Sequence, residues 1–283
     1  MERTLVAPAP DAAGVAAASV EADFQEGRRL YGEHRFTEAA EHWDRAALQQ
    51  HGPSHAHLAD ILLDGPGDVA VDDERAFRLA SAGAVLGCAN SKGVLGCCYV
   101  LGYGVAADQA RGLALGRESA AAGSCFGHAL VALCYINGYG GVAKDYGEAA
   151  RLFRLAAAQG HAGAQNNLGW MFEHGLGVAR NYAKAVRLFR LAAAQGHAHA
   201  QNNLGWMLEN GRGVELNCRK AAQLYKVAAS WGLPAAQNNL AWCRERGKGV
   251  RKDKEGAVRI YRLAAAKGFQ HAAESLKRLG ADQ

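Results

Sequence analysis

Apolar and polar positions follow a helical period along most of this chain, and in its second half the whole pattern returns every 36 residues. Segments beginning at His161, His197 and Leu233 align at that fixed offset. Within the first of them Ala164, Leu168, Met171 and Phe172 fall at i, i+4, i+7 and i+8, a single stripe on a helix. After Gly175-Leu176-Gly177-Val178 a second stripe follows, made by Ala185, Leu188, Phe189, Ala192 and Ala193. Each unit is therefore predicted as helix A, a glycine turn and helix B. Neither stripe can be hidden within its own unit, so neighbouring units must stack on one another, and an all-α solenoid follows.

The pattern extends upstream with weaker identity, through units ending at Gly83, Gly123 and Gly160, the last with Gly141 inserted in its turn. The expected partition is a disordered Ala-rich leader over 1–19 and a helix pair with a shorter turn over 20–52. Six units then follow at about 53–85, 86–123, 124–160, 161–196, 197–232 and 233–268, with a capping helix and tail over 269–283. Paired turn glycines suit a chain leaving a helix through the left-handed region. Asp108, Asp145, Asn181, Asn217 and Asp253 share one slot at the start of helix B, where a short oxygen-bearing side chain caps exposed N–H groups. Gly96, Gly169 and Gly205, costly within a helix, imply close helix approach.

The motif A-x-x-x-L-G-x-x-Y-x-x-G-x-G-V, followed by D-x-x-x-A and ending A-A-x-x-G, resembles the Sel-one-like repeat. It is carried by Leu95-Gly96 through Val105, Leu168-Gly169 through Val178, Leu204-Gly205 through Val214 and Leu240-Ala241 through Val250. The opening unit, with Leu30-Tyr31, Phe36, Ala39-Ala40, Trp43 and Ala46-Ala47, is more similar to a tetratricopeptide unit. The resemblance spans roughly residues 22–280. It implies a right-handed superhelical α-solenoid of antiparallel helix pairs, acting as an adaptor or scaffold for a protein or peptide partner. Arg244 and Ala241 depart from the motif, where Tyr and Gly are expected.

With Leu168 marking the core direction, about 100° per residue places Asn166, Trp170 and Glu173 on the opposite side of helix A. The trio recurs as Asn202, Trp206, Glu209 and as Asn238, Trp242, Glu245, giving three rungs. By analogy with tetratricopeptide stacking these rungs line a concave groove, where Asn bonds a peptide backbone and Trp supplies rigid contact area. The alternative is that Trp packs between successive A helices and Asn completes hydrogen bonds between them. Ala129 and Leu133, and Gly93 and Cys97, stand at the equivalent positions upstream, so the groove is expected in the C-terminal half.

Composition adds exclusions. The net charge of +5 is spread over both signs, which concerns solubility more than partners and is no nucleic-acid signature. A basic stretch from Arg244 to Lys254 reads as a solvated loop and helix end, the alternative being contact with an acidic partner or RNA. No apolar run approaches the ~18 residues of a membrane span. Seven cysteines with no C-x-x-C pair leave at least one unpaired within the chain, which suggests a reducing, cytoplasmic setting. His51, His55, His57 and His197, His199 lack acidic or Cys companions at ligand spacing, so no metal or cofactor is expected. No nucleophile motif or acid pair points to catalysis. A hydrolase built on the solenoid and a regulatory subunit of a membrane-associated enzyme or degradation complex are the alternatives to an adaptor.

Overall fold

A computed structural model describes residues 12–281. An N-terminal hairpin is formed by α1 (Ala12–Gly32) and α2 (Phe36–Leu48). Six helix pairs follow: α3 (Gly52–Asp64) with α4 (Asp73–Val85), α5 (Ala89–Leu101) with α6 (Gln109–Ala121), and α7 (Cys125–Asn137) with α8 (Tyr146–Ala158). The next three are α9 (Ala162–His174) with α10 (Tyr182–Ala194), α11 (Ala198–Asn210) with α12 (Cys218–Ser230), and α13 (Pro234–Arg246) with α14 (Lys254–Ala266). Helix α15 (Gln270–Leu279) closes the stack. No strand occurs among the described residues, and the Gly141 insertion forms a short 3-10 turn at Tyr139–Gly141.

The first helix corrects one expectation. It begins at Ala12, so residues 12–19 of the expected disordered leader are helical, while residues 1–11 lie outside the described chain. Small side chains were read as a sign of disorder, yet Ala is the strongest helix former, and these residues simply extend a helix anchored further on by Phe24 and Leu30.

Both stripes of the repeat are buried. Ala164, Leu168, Met171 and Phe172 of α9 face Ala185, Phe189, Ala192 and Ala193 of α10, all in one core that runs through the stack. The helix A glycines admit a ring from helix B. A Cβ on Gly169 would stand 2.8 Å from the Phe189 ring, and one on Gly205 2.7 Å from the Tyr225 ring. Asp108, Asp145, Asn181, Asn217 and Asp253 each accept the backbone N–H three residues on, as N-caps do.

The two turn glycines have different jobs. Gly175 ends α9 in the left-handed region at φ +73°, its N–H returning to the Met171 carbonyl. Gly177, at φ +65°, lies directly against the Tyr146 backbone at the start of α8, so a Cβ there would collide with the preceding repeat. The second glycine therefore sets the spacing between repeats as well as the turn.

The solenoid curls until its start meets its middle. The turn joining α1 and α2 reaches repeats four and five, where the Phe36 ring stands edge-on to Trp231 with centroids 5.2 Å apart. A Cβ on Gly196 would lie 2.7 Å from Phe36 and 2.8 Å from His34. This contact joins residues far apart in sequence.

Candidate functional site

One position of helix A, five residues before the glycine that ends it, recurs through all six repeats as Asp60, Cys97, Leu133, Trp170, Trp206 and Trp242. Asp60, Cys97 and Leu133 line a concave cavity of about 440 Å³, together with Tyr31, Asp64 and Phe126. His57, His161, His197 and Asn167 also border it. Gly93, Cys97, Ala129 and Leu133, positions from which no groove was expected, form its floor. The enclosed space thus lies in the N-terminal half. Its lining brings together unlike side chains from several repeats, small ones such as Gly93 and Ala129 beside Tyr31 and Phe126, which a search for recurring large residues does not find.

Burial shifts several of the cavity's ionisable groups toward their neutral forms. Asp60 and Asp64 are one helical turn apart on α3; burial and the neighbouring Asp64 hold the Asp60 carboxyl well above the usual range, and burial moves Asp64 up to about 6. Asp64 meets water in the cavity but is walled by protein. Burial lowers His57 and His161 to about 4 and His197 to about 3, so all three are neutral imidazoles at pH 7. Burial also raises the Cys97 thiol, and Cys125 to about 11, which keeps both protonated and unreactive. No cluster of three or more His, Cys, Asp or Glu residues among the described residues is arranged to hold a metal ion.

The three expected rungs divide into different roles. The Asn167, Asn203 and Asn239 side chains, unmarked in the sequence reading, complete an asparagine ladder. Asn203 Nδ2 donates to Asn166 Oδ1 at 3.0 Å and Asn239 Nδ2 to Asn202 Oδ1 at 2.9 Å. In the first two rungs the Asn therefore bonds the next repeat. The ladder stops at Asn238, whose buried Oδ1 has no donor among the described residues.

Helical geometry placed Glu173, Glu209 and Glu245 away from helix B, and here the structure differs. Glu209 is buried and accepts the Tyr225 hydroxyl of its own helix B at 2.8 Å. Glu245 accepts Tyr261 at 3.0 Å and both arms of Arg278 from α15 at 2.7 Å. A long tyrosine reaches around the helix to meet a glutamate that a wheel puts on the far side. In the first rung that ring is Phe189, which has no hydroxyl, and burial raises the half-buried Glu173 carboxyl instead.

The tryptophans keep an open face. Trp170 is 37% exposed and lies 4.6 Å from the His174 ring, while Trp206 and Trp242 are half-buried under cations of their own turns. Arg212 sits 4.5 Å over Trp206 and Lys248 4.8 Å over Trp242.

Six matches to the Sel1 repeat cover residues 52–88, 94–124, 126–161, 162–197, 198–232 and 234–269. The chain belongs to the Sel1 repeat family. Among solved structures it is similar to a protective antigen of uropathogenic Escherichia coli displaying an SLR fold, at 29% identity and a TM-score of 0.58, over 94% of this chain and 57% of that one. The chain thus spans little more than half of that antigen's length. A Sel1 repeat protein from Oxalobacter formigenes is 25% identical with a TM-score of 0.61, over 96% of this chain and 82% of that one. Immunity protein Pa5087 of Pseudomonas aeruginosa, 21% identical with a TM-score of 0.51 over 76% of this chain and 81% of its own, shares the fold alone. No curated protein matches the chain.

Sel1 repeats typically serve as protein-interaction scaffolds. In this Sel1 repeat chain no helix among the described residues is long and apolar enough to cross a membrane. Two features of the site escaped the sequence reading although signals for them exist. The Asn-Asn doublet recurs in all three late repeats, and its second member was the missing half of the ladder. His161 and His197 open α9 and α11, where each Nδ1 accepts the N–H of Ala164 or Ala200 as an N-cap.

Proposed function

We propose that this protein is a protein–protein adaptor that holds an extended partner segment along its concave helix A surface. The observation that carries the reading is the single column running from Asp60 through Cys97 and Leu133 to Trp170, Trp206 and Trp242. It offers carboxyls at one end, an apolar middle, and rigid aromatic faces at the other. Aromatic anchors of this kind dominate binding energies because they bury large area at small entropic cost. The Asp60/Asp64 end suits a basic residue of the partner: a cation there would stabilise the charged form of both carboxyls, which burial disfavours.

The Asn166 and Asn202 side chains contribute by holding helix A in register, and Glu209 and Glu245 by tying it to helix B, so the contact to a partner rests on the tryptophans. Neutral thiols and imidazoles in the cavity favour a binding role over nucleophilic catalysis. Affinity purification with quantitative mass spectrometry tests the reading. Trp206→Ala should deplete a specific partner about tenfold or more while leaving the circular dichroism spectrum unchanged. Undiminished recovery by both Trp206→Ala and Asp60→Asn would exclude the concave surface.

A further inference from the structure

A second surface lies away from the concave column, between α12 and the turn that joins α13 to α14. This cleft of about 730 Å³ is lined by Arg219, Lys226, Arg244, Arg251 and Lys252, with Asp253 its one acidic residue. Asp253 is already engaged. Its Oδ1 caps α14 through the Gly256 N–H at 2.8 Å, and its Oδ2 stands 3.4 Å from Arg244. Arg219, Lys226, Arg251 and Lys252 are exposed and make no ion pair among the described residues. The segment Arg244–Lys254 alone has six basic and two acidic residues, a net of +4 in a chain whose total is +5.

The charge belongs to this cleft and does not follow from the repeat. One unit earlier, at an offset of 36 residues, Ala183 stands for Arg219, Leu208 for Arg244, Glu215 for Arg251 and Leu216 for Lys252. Only Arg190, in the place of Lys226, keeps a cation. With Arg187 in the place of Gln223, the same backbone therefore forms a weakly positive surface in one repeat and a strongly positive cleft in the next. Self-repulsion among five cations costs stability, and a bound anion relieves it.

We propose that this cleft binds an acidic peptide segment of a partner protein, its Asp and Glu carboxylates paired with the guanidinium groups. Three arginines offer planar donor forks that match carboxylates in two-point contacts, which lysine alone cannot provide. A single-stranded nucleic acid would need aromatic platforms for its bases beside the basic groove, and no aromatic side chain lines this cleft.

Fluorescence anisotropy on the full chain tests the assignment with three labelled probes: a short Asp/Glu-rich peptide, its Asn/Gln counterpart, and oligouridine. The acidic peptide should bind in preference to both others, with affinity falling as salt is raised. Arg219→Glu and Arg251→Glu should each weaken it by about tenfold. Arg117→Glu, on the distant α6 with the same change of net charge, should leave it within about twofold. Equal loss in Arg117→Glu would show mere attraction to overall charge, and tighter binding of oligouridine, or no preference for carboxylates over amides, would likewise overturn the proposal. Trp206→Ala should not alter this binding, which separates the cleft from the concave column.

Discussion

At the residue scale the protein depends on side chains whose protonation is fixed by their surroundings. His161 and His197 cap helix A through an unprotonated Nδ1, an acceptor that acid removes. Their folded-state values, about 4 and 3, lie below the ordinary 6.5, so the unfolded chain takes up protons first. The stability they contribute is complete above about pH 6.5 and is lost as pH falls toward 4 and 3. Asp64 acts in the opposite sense. Its carboxyl, raised to about 6, makes the fold lose stability as pH rises from about 4 to 6. Urea unfolding at pH 7 and pH 4.5 should therefore show net acid destabilisation, steeper in Asp64→Asn, where one of the two raised carboxyls, Asp60 being the other, is gone. His161→Asn, which keeps a capping oxygen without a titrating ring, should stay within about 1 kcal/mol at pH 7 and lose less on acidification. A His161→Asn slope equal to wild type would sink the capping account. Glu245 offers a sharper contrast with Glu173. Glu245→Ala would take the buried acceptor from the Tyr261 hydroxyl, leaving it Ser275 alone, and from the Arg278 fork, and should cost about 1–3 kcal/mol, while Glu173→Ala, beside Phe189, should cost little.

At the element scale most of the fold was legible. The 3.6-residue stripes gave helices A and B, the Asp/Asn slot gave the starts of helix B, and paired glycines gave the turns, because each is a local requirement written in adjacent residues. The glycine pair also shows where local reading stops. Gly175 and Gly177 look alike in sequence, and only packing against Tyr146 separates them. Gly175→Ala should cost about 1–2 kcal/mol, the strain of a Cβ in the left-handed region. Gly177→Ala adds a collision with rigid backbone of the previous repeat and should cost at least about 2 kcal/mol more. Thermal unfolding of the two variants checks this, and equal losses would mean that the second glycine serves its turn alone. The tyrosine struts were hidden for the same reason. Glu209 and Tyr225 are on different helices, and their meeting depends on the interhelix distance that Gly205 sets, which no single-helix wheel contains.

At the scale of the whole molecule a solenoid contacts only near neighbours, so its stability should divide repeat by repeat. The Phe36–Trp231 contact breaks that rule by joining the N-terminal hairpin to the fifth repeat, and like the concave cavity, whose lining comes from several repeats, it was not legible in any one unit. Its existence depends on curvature accumulated over five units, and a pattern search sees each unit separately. If the contact holds the curl closed, Trp231→Ala should open it without unfolding any repeat. Removing an edge-on aromatic pair costs about 0.5–1.5 kcal/mol beyond the buried area, enough to shift a closing equilibrium severalfold. Amide exchange should then quicken around α1 and α2 while α9 and α10 keep their protection, and small-angle scattering should report a larger radius. Unchanged exchange in α1 and α2 would instead mean that the hairpin is held by its own packing on α3, with the aromatic contact a consequence of the curvature and not its lock.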